Sequence, residues 1–462
     1  MLKRFKVDYY LLLIFLLILI VFKAPSFAFL FIIPILSISY YRIIVKRDIT
    51  TVLILMLSAR LIMGPFIINN NLSFNILNIL CNYIPIVIIL GFNLISLKTL
   101  NVKKLWSLKW TLLFIVFLYF FGLFNVSYSL SVFTEEILPL SLFFIVIITN
   151  SEQSIKYEYL LNFFRYTFLA CLVVYLSPHF YDQMYLLFAD GIIFKKKVSD
   201  IALRVFRSIP RNTGFVFDFR IMGQLACIYL IILHYLKKRD NYWDVVLLCL
   251  VGLITFSRGP LLILILLLIG VYAPTKIRLT KKLIILTVCF FVLMVMGIFY
   301  GLNNKNIQKF VKTFNPFAKD NAISQRGIFI NYALNRFSEQ PFGAGIGALS
   351  SSKADVVIFA GYTNRHKEKP DKVFYHKVGD AYLALSLAEK GIIGFILFLL
   401  SLIEIFYSKR NRVSLFFLVG LMINLIGTDI PKQGFYYFVI IIIYYGLSQK
   451  KILIDNLPKI ST

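Results

Sequence analysis

The sequence predicts an all-α protein, a polytopic transmembrane helical bundle of about 14 spans (12–14), with a large outer loop before the last three of them. Three observations predict it. Of the 462 residues, 59% are hydrophobic, and the mean hydropathy is +0.81. Runs of about 18 or more mostly apolar residues recur along the chain, the length that carries a helix across roughly 30 Å of hydrocarbon. The polar breaks between these runs carry lysine and arginine on alternate sides, the pattern of the positive-inside rule. A membrane barrel would show short segments of alternating polarity instead, and a soluble core of this size would not hold so many uninterrupted Leu/Ile/Phe stretches.

Taken in order, the runs place spans at 8–22, 26–45, 49–69, 76–97, 109–129, 131–149, 158–177, 216–236, 243–256, 260–273, 283–301, 379–407, 414–430 and 435–448. The start, Met1-Leu2-Lys3-Arg4-Phe5-Lys6 before an apolar run, resembles a signal peptide, but no small-residue cleavage pattern follows it. An uncleaved first span is expected. With the N-terminus inside, the short loops on that side hold Lys46 and Arg47, Lys98 to Lys104, Lys156, Lys237 to Arg239, Lys276 to Lys282, Lys409 to Arg412, and Lys450 with Lys451. Both termini are therefore expected in the cytoplasm. Asp244–Phe256 and Pro260–Tyr272 are each too short for a full crossing and are separated only by Ser257-Arg258-Gly259. They form either a helical hairpin or one span kinked at Pro260. The hairpin is favoured because it alone leaves both flanking basic loops inside, and it holds Arg258 at the outer surface. Residues 1–462 are expected to form a single integral membrane domain with two long outer loops, 178–213 and 302–377.

Lys+Arg number 49 against 22 Asp+Glu, a formal net charge of +27. In an apolar chain much of this excess belongs to membrane orientation, so no nucleic-acid partner is expected. The two outer loops are basic as well, with Lys195, Lys196, Lys197, Arg204, Arg207 and Arg211 in the first and Arg326, Arg365, Lys367 and Lys377 among those of the second. Long loops cross regardless of charge, so this suggests an anionic ligand on the outer face, with a solvated basic loop as the plain alternative. Cys81, Cys171, Cys227, Cys249 and Cys289 all lie in apolar runs and read as small packing residues, with no disulfide framework or zinc site implied.

Three arginines stand beside glycines on the expected outer side: Arg211-Asn212-Thr213-Gly214, Ser257-Arg258-Gly259 and Ser324-Gln325-Arg326-Gly327. A guanidinium fork gives a diphosphate parallel charge-assisted bonds and keeps its proton, and a neighbouring glycine lets a large ligand approach the backbone. An interfacial arginine also snorkels to lipid headgroups, and each taken singly reads that way first. His376 stands where a late span begins, followed by Asp380-Ala381-Tyr382-Leu383 and Glu389-Lys390-Gly391-Ile392-Ile393-Gly394. An imidazole, with a pKa ordinarily about 6.5, is suited to take a proton from a sugar hydroxyl; the plain alternative is an anchor at a helix start. Between them, Pro341-Phe342-Gly343-Ala344-Gly345-Ile346-Gly347 is either a phosphate cradle through Gly343 and Gly345 or a structural turn, and it lacks the Lys-Ser/Thr ending of a P-loop. No HExxH, paired CxxC or Asp-x-Asp is present, and no metal site or other cofactor is expected. Arg60, Arg165, Arg220, Glu135, Glu136, Glu404 and Asp429 fall inside spans, where a charge is costly and faces protein or a wet cavity.

In this order the motifs resemble the O-antigen polymerase and O-antigen ligase family of bacterial envelope glycosyltransferases. The matching pieces are Arg211-Asn212-Thr213-Gly214-Phe215, Thr255-Phe256-Ser257-Arg258-Gly259-Pro260, Ser324-Gln325-Arg326, the 341–347 glycine run, and His376 with Tyr382-Leu383, Glu389, Gly391 and Gly394. They cover roughly the C-terminal half. Where that family carries asparagine directly after its histidine, this chain has Lys377-Val378-Gly379 before Asp380. The resemblance implies a sugar chain on undecaprenyl pyrophosphate as donor, transferred to an acceptor hydroxyl on the outer side of the bacterial inner membrane without nucleotide or metal, for lipopolysaccharide or other surface polysaccharide. It implies that Arg258 and Arg326 hold the pyrophosphate, that His376 activates or orients the acceptor, and that Arg211, Gly343, Gly345 and Asp380 assist binding. A polymerase is favoured over a ligase acting on lipid A core, on the number of spans and the two outer loops. Membrane lipids, a chain-length regulator and a flippase are the expected partners. The rival from another class is a lipid-linked oligosaccharide flippase, which would use Arg60, Arg165 and Glu404 along a midplane path.

Overall fold

A computed structural model describes residues 25–61, 79–95, 102–123, 136–149, 155–176, 204–205, 209–210, 219–236, 241–255, 258–272, 325–349, 356–359, 372–375, 381–407, 411–426 and 435–455. Helices dominate: α1 (Pro25–Lys46), α2 (Ile49–Leu61), a π-helical turn (Ile79–Tyr83) continuing into α3 (Ile84–Ile95), α4 (Val102–Ser107), α5 (Lys109–Leu123), α6 (Leu138–Ile148) and α7 (Tyr157–Leu176) in the first part. The second part holds α8 (Phe219–Tyr235), α9 (Tyr242–Ile254), α10 (Arg258–Tyr272), α11 (Gln325–Glu339), α12 (Tyr382–Tyr407), α13 (Arg412–Leu425) and α14 (Phe435–Asp455). Twelve of the predicted spans coincide with a helix; those at 8–22 and 283–301 lie outside the described residues. Among the described residues α12, with 26 residues, is long and apolar enough by itself to cross a membrane, and the other apolar helices are shorter.

The expectation of a helical bundle holds, with two small additions in the loops. Two short antiparallel hairpins lie in the two long polar segments: β1 (Arg204–Val205) with β2 (Ile209–Pro210), and β3 (Val356–Phe359) with β4 (Lys372–Tyr375). In the second, Val356 pairs with Tyr375 and Phe359 with Lys372. Four-residue runs such as Val356-Val357-Ile358-Phe359 are β-branched and aromatic, and a search for runs long enough to span a membrane passes over them. The 302–377 segment also contains α11, a helix of mixed polarity.

Several hydrogen bonds inside the bundle fall at helix ends, where backbone groups lack intrahelical partners. The Glu404 carboxylate of α12 accepts from the backbone N–H of Trp110 at 3.2 Å and of Thr111 at 2.8 Å, and from the Thr111 hydroxyl at 2.8 Å, so it caps the first turn of α5. Asp48 does the same for α2 through Thr50 N and the Thr51 hydroxyl, both at 3.1 Å. Asn411 Oδ1 accepts from Ser414 N at 2.7 Å and starts α13. Arg165 of α7 meets the buried Asp244 of α9 through Nε at 2.7 Å and Nη2 at 2.6 Å, and the Tyr229 hydroxyl of α8 donates to the same carboxylate at 2.6 Å. Three helices are thereby tied at one polar point within an otherwise apolar core.

Small residues let two helix pairs close up, as membrane bundles commonly require. A Cβ on Gly420 would sit 3.1 Å from Ile263 Cα, one on Gly270 would sit 3.5 Å from Val413 Cα, and Gly259 lies directly against Asn424. Those contacts run in reverse sequence order, so α10 and α13 are antiparallel at close range. Gly252 faces Leu264, with a Cβ there 2.5 Å from Leu264 Cδ2. In one continuous helix residues twelve apart would be about 18 Å distant. Instead α9 and α10 fold back on each other as a hairpin.

Candidate functional site

Three pieces of local structure carry the motif residues. The first is a turn docked into a broken helix. α12 is interrupted at Gly391, whose φ of 67° and ψ of −174° suit glycine alone. The turn after α11 fits into this break: Ala344 N donates to Ala388 O and Gly345 N to Glu389 O, each at 2.9 Å, and Ile392 N donates to Pro341 O at 3.1 Å. Contact is backbone on backbone. A Cβ on Gly343, itself at φ 105°, would sit 2.6 Å from Glu389 O, and one on Gly391 would strike the carbonyl of Phe342. The buried Glu389 carboxylate accepts from Leu349 N at 3.0 Å and closes the far side of the turn.

These bonds bear on Gly343 and Gly345. Gly343 N donates to Gln340 O at 2.9 Å and Gly345 N to Glu389 O, so both N–H groups are already engaged by the protein. What the glycine run does here is allow the turn to touch the helix.

The second piece is α11, which carries Arg326 in its first turn. One turn further on, Phe329, Ile330 and Ala333 form a small buried cluster with Leu349, Ala381, Leu385 and Ala388. The helix ends at Glu339, beside the docked turn. Its fifteen residues, about 22 Å, lead from there to Arg326 along the first half of α12. β4 ends at Tyr375, so His376 follows a paired strand directly and precedes α12 by six residues. His376, Asp380 and Arg211 lie outside the described residues.

The third piece is the α9–α10 elbow, where Arg258 is the first residue of α10. α8 lies alongside: a Cβ on Gly223 would be 2.5 Å from Pro260 Cβ, and Cys227 Sγ donates to Pro260 O at 3.4 Å. Asn424, near the end of α13, sits on Gly259. α13 follows α12 after a short connection and packs against both α12 and α10. It runs antiparallel to each, so the first turn of α10 points toward the end of the bundle at which α12 begins.

Of the charged residues inside spans, Glu136, Arg165 and Glu404 are engaged by protein, and the side chains of Arg60, Glu135, Arg220 and Asp429 lie outside the described residues. Lys390 Nζ lies 2.8 Å from Glu136 Oε2 with both side chains buried, and the same ammonium stands 5.1 Å from the centre of the Tyr382 ring. Glu404 and Arg165 are held as described above. Glu136 is legible in the sequence as an intramembrane charge, but its partner is not. The available signal is a single lysine standing between Glu389 and Gly391 in an apolar stretch. Gln224 and Asn424, both buried, are two further polar residues at the elbow that apolar-run reading passed over.

The elbow, α11, the docked turn and the start of α12 fall in one stretch of sequence, and that stretch has known relatives. Residues 244–399 match the family model described as O-antigen ligase. The match makes this segment similar to that family over about a third of the chain. No curated protein matches the chain. The O-antigen ligase segment begins at Asp244 and closes just past the Gly391 break, and so includes Arg258, Arg326, the glycine run and His376. Arg211 and the ion-pair partner Glu136 fall outside it. The similarity supports an enzyme of surface polysaccharide assembly at a bacterial membrane.

Proposed function

We propose that this chain is a surface-polysaccharide polymerase, which transfers a glycan from undecaprenyl pyrophosphate to a sugar hydroxyl of another lipid-linked repeat unit on the outer face of the membrane. One observation supports the reading: within the segment matched to the O-antigen ligase model, the first turn of α10, with Arg258, and the first turn of α11, with Arg326, both lie toward the end of the bundle at which α12 begins.

In the reaction the acceptor oxygen attacks the anomeric carbon and forms the new glycosidic bond. The bond from that carbon to the phosphate oxygen breaks, and the diphosphate leaves with the electron pair. His376 takes the hydroxyl proton. Arg258 and Arg326 meet the charge that develops on the leaving group, with Arg211 as an accessory, so fixed cations and positioning lower the barrier. Asp380 assists substrate binding. Gly343 and Gly345 act through shape, by letting the turn seat on α12 and so hold α11 in register. Attack from the face opposite the phosphate inverts the anomeric centre, and comparing the anomeric configuration of the product with that of the donor tests this step.

The decisive experiment uses purified protein in liposomes with lipid-linked repeat units. Chain growth supports the polymerase. Transfer only to added lipid A core supports a ligase instead, and translocation with unchanged length supports a flippase. His376→Ala is expected to lower growth by about 10² to 10⁴-fold, the range for general base catalysis, without loss of membrane insertion. Full activity in that variant would remove His376 from the mechanism.

A further inference from the structure

At the elbow, Gln224 is 4% exposed, and neither its Oε1 nor its Nε2 has a hydrogen-bond partner among the described residues. A buried amide left unpaired in a packed bundle is costly and calls for an explanation. Its position supplies one. Gly223, its neighbour, touches Pro260 and Thr255, and Cys227, one turn on and on the same face of α8, donates to Pro260 O. α8 runs antiparallel to α9, and α9 antiparallel to α10, so α8 and α10 are parallel with their first turns level. Gln224 therefore stands at the level of the first turn of α10, where the first N–H groups have no intrahelical acceptor and Asn424 lies against Gly259.

The chemistry of the amide selects the ligand. Both halves of Gln224 are unmatched, an acceptor and a donor. A diphosphate presents acceptors only and would satisfy Nε2 while leaving Oε1 unpaired. A sugar hydroxyl or acetamido group presents a donor and an acceptor side by side. Resting on the reading of Arg258 as the diphosphate site, we propose that Gln224 contacts the sugar joined to that diphosphate, and so contributes to which glycosyl donor the protein accepts.

The test compares wild type, Gln224→Met and Arg258→Ala, each full length in detergent. Binding is measured for undecaprenyl diphosphate without sugar and for lipid-linked oligosaccharide extracted from source cells deleted for this chain. Methionine keeps the volume and removes the amide, so Gln224→Met is expected to raise the melting temperature of the ligand-free protein. It is also expected to weaken binding of the glycosylated lipid at least ten-fold and to leave the sugar-free lipid unchanged. A lower melting temperature would show that the amide serves the fold, unchanged affinity for the glycosylated lipid would show no contact, and equal loss for both lipids would assign it to phosphate; each overturns the proposal. Arg258→Ala reports separately on the diphosphate reading, because it should weaken both lipids. If Arg258→Ala does so while Gln224→Met changes neither, only the sugar contact fails.

Discussion

Substituting Gly391 by alanine tests the docked turn directly. The residue sits at φ 67° and ψ −174°, outside the left-handed helical region and in backbone territory open essentially to glycine, so an L-residue there is strained by about 1–3 kcal/mol. A Cβ would also strike the Phe342 carbonyl and Gly343 N, and these are backbone atoms that no rotamer change can move aside. The turn must then lift off α12 and lose the Ala344–Ala388, Gly345–Glu389 and Ile392–Pro341 hydrogen bonds. At about 1 kcal/mol net for each, the total destabilisation comes to about 4–6 kcal/mol. Thermal unfolding in detergent, followed by loss of the monodisperse elution peak, measures it. Gly91→Ala is the control: nothing lies within 4 Å of its Cβ position, and alanine inside a helix is favoured over glycine by about 0.5–1 kcal/mol, so this variant should melt at or above the wild-type temperature. A Gly391→Ala protein that melts with wild type would refute the backbone-on-backbone account of the glycine run.

The buried ion pair gives a second prediction. Lys390→Met leaves Glu136 buried without its cation and is expected to destabilise by about 3–5 kcal/mol, whereas Glu136→Leu with Lys390→Met together should recover most of that, because the loss comes from the orphaned charge. If the double variant melts as low as the single one, the pair has a role beyond mutual neutralisation. At a helix start, Asn411→Ala removes the acceptor for Ser414 N and is expected to cost about 1 kcal/mol, while Asn411→Asp keeps the cap and should stay near wild type; equal melting of all three would remove the cap from the account.

Helix positions were largely legible from apolar run length, because a helix in hydrocarbon must satisfy its own backbone and needs a minimum stretch to do so. The α9–α10 hairpin was legible too, from the two short runs and the basic loops on either side of them. Arg258 and Arg326 were found by their neighbours, since arginine beside glycine at a run boundary is a local pattern. The hairpins were not legible, because four-residue strands carry too little signal. The glycine run was left between phosphate cradle and structural turn, and the two differ only in where the N–H groups of Gly343 and Gly345 point. Gly343 N stays within its own turn on Gln340 O, but the partner of Gly345 N lies more than forty residues away, in a helix whose break at Gly391 has no local mark beyond the glycine itself.

By itself the sequence determined a helical, apolar, basic chain and the order of its motif residues, because those properties depend on composition and on spacing along one segment. Only the tertiary structure decided that Lys390 neutralises Glu136, that Glu404 caps a helix nearly three hundred residues earlier, and that the buried Gln224 amide is unmatched among the described residues. The physical reason is the same in each case. Whether a buried polar group is satisfied depends on what stands within about 3 Å of it, and that neighbour comes from whichever distant helix the packing brings alongside.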